Sequence, residues 1–112
     1  MDCVFCKIVS GELPTKILAE NESAVAFRDQ SPLAPVHVLV VPKKHISTLH
    51  DLVGEESQLS ADLVHLCANV AKSEGVTESG YRVLTNAGDD AGQTVHHLHL
   101  HVLGGRRLLM GL

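Results

Sequence analysis

The chain has 112 residues, the size of one domain, and 45% of them are hydrophobic, which is enough to bury a core. The formal net charge is −4 with the histidines neutral, so the composition offers no basic surface of the kind that binds nucleic acid. Eight histidines make the charge sensitive to pH near their ordinary pKa of about 6.5. We therefore expect one domain spanning residues 1–112, without a nucleic-acid partner.

The N-terminal residues have neither the basic start nor the apolar run of a signal peptide, and no stretch approaches the length needed to span a membrane. The three cysteines, Cys3, Cys6 and Cys67, cannot all pair with one another. Reduced thiols in a cytoplasmic protein without membrane contact are the simplest interpretation. Cys67 lies among apolar residues at helical spacing, so we expect it in the core.

Hydrophobic periodicity predicts two helices and about five strands. The strongest strand is the aliphatic run 36–41, which Pro42 terminates, and the longest helix has leucines and valines at helical spacing. The predicted elements in chain order are a short helix at 3–9, strands at 17–20, 24–27 and 36–41, a long helix at 55–74, a strand at 81–85 and a last strand that begins at 97. Because this order is not β-α-β, an antiparallel α+β domain is favoured.

The last predicted strand carries three histidines, His97, His99 and His101, which alternate with aliphatic residues. On a strand this alternation places all three imidazoles on one face, about 6–7 Å apart. Three interpretations of such a face are open. It is an exposed polar edge, a metal site completed by Asp89 or Asp90, or a site of phosphate chemistry. In the last case a neutral imidazole attacks phosphorus while its neighbours stabilise the charge on oxygen.

The flanking residues favour phosphate chemistry. The segment 92–95 (Gly-Gln-Thr-Val) offers flexible backbone, an amide and a hydroxyl, and Asn86 adds another neutral donor. Asp29 could accept hydrogen bonds from ribose hydroxyls. His37 lies on the strongest strand, on the face opposite its neighbouring valines, and could meet the three histidines.

These residues belong to motifs that occur in the same order in a known family. His-Leu-His-Leu-His-Val-Leu at 97–103 resembles the signature of the histidine triad (HIT) family, and further matching motifs lie at 27–32, 34–37, 41–46 and 92–95. The resemblance runs from residue 3 to residue 105 and points to the nucleotide-binding phosphoramidase branch. It implies a HIT-like fold, hydrolysis of purine nucleotide conjugates and a homodimer.

The resemblance also implies a role for each matching histidine. His99 matches the nucleophile that attacks the α-phosphorus and becomes transiently nucleotidylated, and His101 matches the residue that hydrogen-bonds the phosphate. His97 and His37 match histidines that support the nucleophile and its proton transfers. Thr94 falls near the leaving group and the phosphate oxygens. An attacking imidazole must be neutral, so we expect its other nitrogen to be held by an acceptor such as a backbone carbonyl.

Further positions match nucleotide contacts in the family. In addition to Thr94, His99 and His101, the implied contacts are Asp29, Gln30, Asn86, Gly92, Gln93 and Leu100. The implied substrates are purine nucleoside phosphoramidates or related conjugates such as aminoacyl-adenylates, and the reaction needs no metal. Two alternatives stay open. One is hydrolysis of dinucleoside polyphosphates by the same triad, and the other is a nucleotide-binding regulatory or scaffold protein with incidental hydrolysis.

A Cys-x-x-Cys motif opens the chain at Cys3 and Cys6. With His45 and His97 it could form a Cys₂His₂ zinc site, as the resemblance implies for members with this N-terminus. Alternatively, both cysteines pack as small hydrophobic residues. Zinc on His97 would compete with a catalytic role for that ring, so both interpretations remain open.

Two features depart from the family pattern. The tail 106–112 differs from the Trp- and Pro-containing tail that is common in this branch, and its apolar character favours burial against a second subunit. His96 stands directly before the three alternating histidines, and we expect it to be a buried or edge histidine with a backbone partner.

Overall fold

Five strands form one antiparallel sheet with a helix on each side. The computed structural model describes residues 3–111. In chain order the elements are helix α1 (Val4–Ser10), strands β1 (Ala19–Glu20), β2 (Ala24–Arg28) and β3 (Val36–Pro42), a 3₁₀ helix (Leu49–Gly54), helix α2 (Ser57–Ser73), strand β4 (Tyr81–Leu84), a second 3₁₀ helix (Asp89–Ala91) and strand β5 (Leu100–Gly104). The strand order is β1-β2-β3-β5-β4, with every neighbouring pair antiparallel. The predicted α+β class with a five-stranded antiparallel sheet is therefore confirmed.

The two 3₁₀ helices are the elements that the sequence did not predict. Segments this short show no measurable helical period, so the hydrophobic pattern carries no signal for them. The first is held at its start by Thr48, whose backbone N–H and hydroxyl both donate to the carboxylate of Asp51. No helix in the described part of the chain is long and apolar enough to cross a membrane.

Apolar residues cover both faces of the sheet. Alternation along β3 sends its even-numbered residues towards α2 and its odd-numbered residues towards α1. Buried residues on the α2 side include Val38, Val40, Leu63, Leu66 and Val70, and those on the α1 side include Phe5, Ile8, Phe27, Leu39 and Val41. Cys67 is part of the α2 side, as expected of a core residue.

The last strand is shorter than predicted. It begins at Leu100, so His97 and His99 precede it. Two neighbouring features explain the difference. Pro42 of β3 has no N–H and cannot extend the ladder, and the N–H of Leu98 donates instead to a carbonyl in the loop after β3, at 2.6 Å. The prediction of three histidines in a row along one strand is therefore wrong, and each of the three has its own surroundings.

Candidate active site

Strand pairing brings His37 of β3 next to His101 of β5. In the antiparallel register His37 lies opposite Leu103 and His101 lies opposite Leu39, so both imidazoles are on the α1 side of the sheet. Nε2 of His37 is 2.9 Å from Nδ1 of His101. The two rings form a hydrogen-bonded pair across the strands.

Neighbouring groups determine which nitrogens of this pair carry protons. The backbone N–H of Leu33 donates to Nδ1 of His37 at 3.0 Å, so the proton of a neutral His37 is on Nε2. His37 then donates to Nδ1 of His101, and the proton of a neutral His101 is on Nε2. That Nε2 is buried and has no hydrogen-bond partner among residues 3–111. The pair therefore ends in a donor that is available to a ligand.

Burial favours the neutral form of both rings. Desolvation lowers the pKa of His37 below 6.5, and the negative charge of Asp29 partly offsets this effect. Desolvation, together with the charges of His99 and His37, lowers the pKa of His101 to about 4. Asp29 is close to the pair, since its Oδ2 lies 3.4 Å from Nε2 of His37. At neutral pH His101 is a neutral hydrogen-bond donor.

His99 has the opposite tautomer to His101. Its Nδ1 lies 2.7 Å from the carbonyl oxygen of His97, and a carbonyl oxygen can only accept, so Nδ1 carries the proton and the lone pair is on Nε2. The ring packs edge-on against Phe5, with 5.2 Å between centroids. The hydroxyl of Thr85 donates to the carbonyl of His99 at 2.7 Å. His99 is therefore held with its basic nitrogen away from the backbone.

Phe5 and Thr85 are site neighbours that sequence reasoning did not identify. Phe5 has a clear signal, because it lies on the apolar side of a predicted helix, but that signal indicates a core residue. Thr85 has no signal, since its contact with residue 99 joins distant parts of the chain.

A cleft of about 330 Å³ lies between α1 and the sheet. Apolar side chains and the buried imidazole of His99 line its interior, and the more exposed polar residues lie at its mouth. The apolar residues include Phe5, Ile8, Phe27 and Leu39, and the polar residues include Asp29, Gln30, Thr94, His99 and His101. Five of the residues predicted to form the site are therefore brought together. An apolar slot that ends at two imidazoles and a carboxylate suits a ligand with a flat apolar part and a polar, phosphate-bearing part.

Other predicted site residues lie outside the cleft lining. His37 acts on it through His101, and His97 is fully buried behind it. Leu100 packs its side chain against the core on the α2 side, so only its backbone faces the same side as the neighbouring histidines. Asn86 lies half-buried in the loop after β4.

The loop that precedes the histidines uses its own donors internally. The backbone N–H of Gly92 donates to Asp89, and that of Gln93 donates to Gly88. The side-chain amide of Gln93 is buried and donates to the carbonyls of Ser47 and Val95, while its oxygen accepts from Gly88. The amide that we expected to reach a phosphate instead holds this loop against the loop after β3.

A second cluster of side chains lies beside the cleft. The ligand atoms of Cys3, Cys6, His45 and His97 all lie within 4.8 Å of one another. Nδ1 of His97 is 3.3 Å from Sγ of Cys3 and 3.6 Å from Sγ of Cys6, and Nδ1 of His45 is 3.3 Å from Sγ of Cys6. Four soft or borderline donors are thus grouped around one point.

This cluster fits a tetrahedral zinc ion. Nε2 of His97 lies 2.9 Å from the carbonyl oxygen of Pro42, so Nε2 carries the proton and the Nδ1 lone pair faces the thiols. Two cysteines and two histidines are a common structural zinc set. Burial, as the main effect, lowers the pKa of His97, which keeps its ring in the neutral form that a metal requires. The ring of His97 is therefore directed to the cysteines, and only its carbonyl contacts His99.

One expectation about the flanks needs correction, and the other, burial of the tail against a second subunit, stays a prediction. His96 is exposed and not buried, because the chain has not yet entered β5 at this point. The tail contacts the sheet edge through Arg82, which donates to the carbonyl of Leu109, but the side chains of Leu109 and Met110 are exposed. The predicted tail also includes residue 112, which lies outside the described residues.

Comparisons with known proteins identify the family of this chain. The family model for the HIT domain matches residues 10–108. The chain belongs to the HIT domain family, as its motifs indicate.

Relatives resemble the chain over nearly its full length. It is 39% identical to the purine nucleoside phosphoramidase of Escherichia coli over 107 residues, which cover 96% of this chain and 90% of the relative. Among solved structures, a HIT family hydrolase from Legionella pneumophila is 44% identical with a TM-score of 0.91, and covers 96% of each chain. A histidine triad protein from Clostridium difficile is 42% identical with a TM-score of 0.93, covering 100% of this chain and 97% of the other.

Proposed function

We propose that this protein hydrolyses purine nucleoside phosphoramidates, or related nucleotidyl conjugates such as aminoacyl-adenylates, through a nucleotidyl group carried on His99. One observation carries the proposal: His99 donates Nδ1–H to the carbonyl of His97 and keeps the lone pair on Nε2, within the cleft lining. Family membership and the 39% identity to a purine nucleoside phosphoramidase support the substrate class.

In the first step Nε2 of His99 attacks the α-phosphorus, a P–N(ε2) bond forms, and the bond from phosphorus to the leaving amine breaks. The amine takes up a proton from water as it departs, and Thr94, an exposed residue that lines the cleft, is the hydroxyl that the resemblance places beside it. The imidazole becomes positively charged because it still carries the Nδ1 proton. The carbonyl of His97 stabilises that charge through the 2.7 Å hydrogen bond.

Charge also accumulates on the non-bridging phosphate oxygens during the attack. The buried Nε2–H of His101 can donate a hydrogen bond to one of these oxygens, because it has no hydrogen-bond partner among residues 3–111. A fixed, neutral donor in a desolvated site stabilises a developing oxyanion without reorganising.

In the second step water attacks the same phosphorus and loses one proton to the solvent, which replaces the proton that the amine took up. The P–N(ε2) bond breaks, His99 recovers its lone pair, and a nucleoside monophosphate is released. The site then has the same protonation state as at the start, so the cycle closes without a cofactor.

The rest of the cleft suits the nucleoside. We assign the base to the apolar part of the cleft, which Phe5, Ile8 and Phe27 line and where aromatic and aliphatic side chains offer stacking surface. Asp29 and Gln30 at the mouth are assigned to the ribose hydroxyls, with one Asp29 oxygen already accepting from the N–H of Ser31 at 2.8 Å. The contacts expected of Asn86, Gly92, Gln93 and Leu100 remain predictions from the resemblance.

We also propose that Cys3, Cys6, His45 and His97 hold a structural zinc ion. Bound there, zinc supplies a crosslink between the start of α1, the loop after β3 and the segment before β5. The residues of this chain then keep the His97 backbone in place, and its carbonyl positions His99. The reaction itself uses no metal.

A homodimer is the proposed assembly. Strand β4 is at the edge of the sheet, and the apolar side chains of Tyr81 and Val83 are exposed there, as is Val64 of α2. An exposed edge strand with apolar side chains is a surface that native proteins normally cover. Together with the family resemblance, this surface favours a second copy of the chain.

A substrate panel tests the proposed reaction. Wild-type protein, His99→Ala and His96→Ala are compared on adenosine and guanosine 5′-phosphoramidates and on dinucleoside polyphosphates. We expect phosphoramidate turnover in wild type and in His96→Ala, which changes an exposed histidine, and no turnover in His99→Ala with nucleoside monophosphate binding retained. Turnover of dinucleoside polyphosphates alone would indicate the sister activity. Nucleotide binding without any turnover would indicate a regulatory or scaffold protein.

A further inference from the structure

We propose that the backbone N–H of Leu33, positioned by the side chain of Arg106, selects the tautomer of His37 and thereby keeps His101 a donor towards the phosphate. Arg106 is a positioning residue in this account, because it acts through the backbone and not on the substrate. The consequence for turnover rests on the proposed function. The consequence for the His37 tautomer does not.

The tautomers of His37 and His101 are linked. Because Nδ1 of His37 accepts a hydrogen bond from the N–H of Leu33, His37 carries its proton on Nε2 and donates it to Nδ1 of His101. His101 then presents an N–H at its own Nε2. If His37 carried its proton on Nδ1, it would accept from His101, and His101 would present a lone pair at Nε2. A lone pair beside phosphate oxygens is repulsive, so the same two rings would oppose the reaction. The backbone N–H of Leu33 selects the first arrangement from the Nδ1 side of His37, and the Asp29 carboxylate, 3.4 Å from Nε2, favours the same tautomer.

Burial makes this choice strict. His37 is 3% exposed, so water does not compete for its Nδ1. If Nδ1 of His37 were protonated, it and the N–H of Leu33 would be two donors facing each other without an acceptor, and the buried imidazole N–H has no water to bind instead.

Arg106 holds the peptide group that directly follows this N–H, on the other side of the Leu33 Cα. Its guanidinium donates to the carbonyl of Leu33 at 3.0 Å and to the carbonyl of Arg107 at 3.1 Å. The side chain of Leu33 is 70% exposed, so side-chain packing contributes little to the placement of its backbone. The carbonyl contact from Arg106 therefore anchors a segment that packing leaves loose.

The backbone after β5 reinforces the contact. Gly105 has a φ of +90°, and a Cβ at this position would lie 2.9 Å from Cβ of Pro35. The turn that carries Arg106 is therefore pressed directly against the loop that carries Leu33. This close approach needs glycine both for its left-handed backbone and for the missing side chain.

A matched pair of variants isolates the N–H. Leu33→Pro removes the donor, whereas Leu33→Ala keeps it and removes the same exposed side chain. The tautomer of His37 is read from long-range ¹H–¹⁵N correlations in the full-length labelled protein, and kcat and KM are measured with adenosine 5′-phosphoramidate. We expect Leu33→Ala to match wild type. In Leu33→Pro we expect loss of the single Nε2–H tautomer and a kcat fall on the order of 100-fold, with a smaller change in KM.

Variants of Arg106 are measured in the same way, and they test the proposal even if Leu33→Pro does not fold. Arg106→Ala should give a mixed His37 tautomer and a lower kcat, and Arg106→Lys should restore part of both. Arg107→Ala removes the same charge from the neighbouring position and should change neither. A mixed His37 tautomer in Arg106→Ala that is partly restored in Arg106→Lys would support the proposal.

Two results would overturn it. One is a wild-type His37 protonated on Nδ1, and the other is an unchanged tautomer in both Leu33→Pro and Arg106→Ala. A shifted His37 tautomer with unchanged kcat would support the selection by Leu33 but contradict the role of His101 as a donor to the phosphate. The tautomer proposal and the proposed function can therefore fail independently.

Discussion

The carbonyl oxygen of His97 lies 2.7 Å from Nδ1 of His99, while the imidazole of His97 faces Cys3 and Cys6. One residue therefore serves two sites, with its ring in the cysteine cluster and its backbone on the nucleophile. This arrangement removes the competition between zinc binding and catalysis that the sequence suggested. The cysteine cluster and the basic nitrogen of His99 are therefore coupled through His97, which contacts the cluster with its ring and His99 with its carbonyl.

The cysteine cluster should contain zinc. Metal analysis of the purified protein is expected to find about one zinc per chain, since the four ligand atoms match a common structural set. Cys6→Ser should lose the zinc and lower the melting temperature, and His99 should become less active because the His97 backbone is less constrained. Cys67→Ala serves as the control, because it removes a thiol from the core on the α2 side and should retain zinc. Zinc-free wild type, or full zinc in Cys6→Ser, would contradict this assignment.

Asp29 should discriminate between nucleosides with and without ribose hydroxyls. Asp29→Ala is expected to weaken adenosine monophosphate binding by roughly tenfold to a hundredfold, because a carboxylate hydrogen bond contributes about 1.5–3 kcal/mol. A 2′,3′-dideoxy analogue, which lacks the partner hydroxyls, should lose much less. Calorimetric titration of both ligands measures the difference. Equal losses would assign Asp29 to the electrostatics of His37 and not to ribose.

The stability of the protein should fall as the pH is lowered below 6.5. His101 ionises near 6.5 when unfolded and near 4 when folded, so between these values the unfolded chain binds more protons. The free energy of unfolding therefore decreases as the pH falls from 6.5 towards 4. His101→Gln does not titrate and should show a shallower decrease in melting temperature across this range.

Other groups, including the cysteine cluster, also titrate at low pH, so the informative quantity is the difference between wild type and His101→Gln at each pH. If the melting temperatures of the two proteins fell in parallel with pH, His101 would be ionised to the same extent in the folded and the unfolded state, which would contradict the prediction.

The exposed edge of the sheet should form the dimer contact. Val83→Glu places a charge on the exposed side of β4 and is expected to give a monomer, because a charge at an apolar interface remains without a partner. Lys72→Glu, which changes an exposed charge on α2, is the control. Light scattering after size exclusion measures the mass. A wild-type monomer, or a dimer that persists in Val83→Glu, would place the proposed interface elsewhere or exclude it.

Most of the fold was predictable because its signals are local. The aliphatic run of β3 and the leucine spacing of α2 each report on one element, and each was located closely. The start of β5 was not predictable from alternation alone. It depends on Pro42, which ends the ladder, and on the capture of the Leu98 N–H by another loop, and both are contacts between distant residues.

The candidate site divides in the same way. The histidine motif predicted His99 and His101 and the order of motifs predicted Asp29, and all three line the same cleft. The internal use of the Gln93 amide, the exposure of His96 and the contact of Arg106 with Leu33 have no local pattern. Each depends on which loops meet in the folded chain, so the sequence indicates the residues that line the cleft better than it indicates what positions them.

Capture of the nucleotidylated protein tests the proposed role of His99 as nucleophile most directly. Wild-type protein is mixed with adenosine 5′-phosphoramidate, quenched within the first turnover under alkaline conditions that preserve a phosphorus–nitrogen bond, and mapped by mass spectrometry. We expect an adenylyl group on the imidazole of His99 in wild type and in His96→Ala, and none in His99→Ala. An adenylyl group on another residue, or a burst of product without any protein-bound nucleotide, would contradict it.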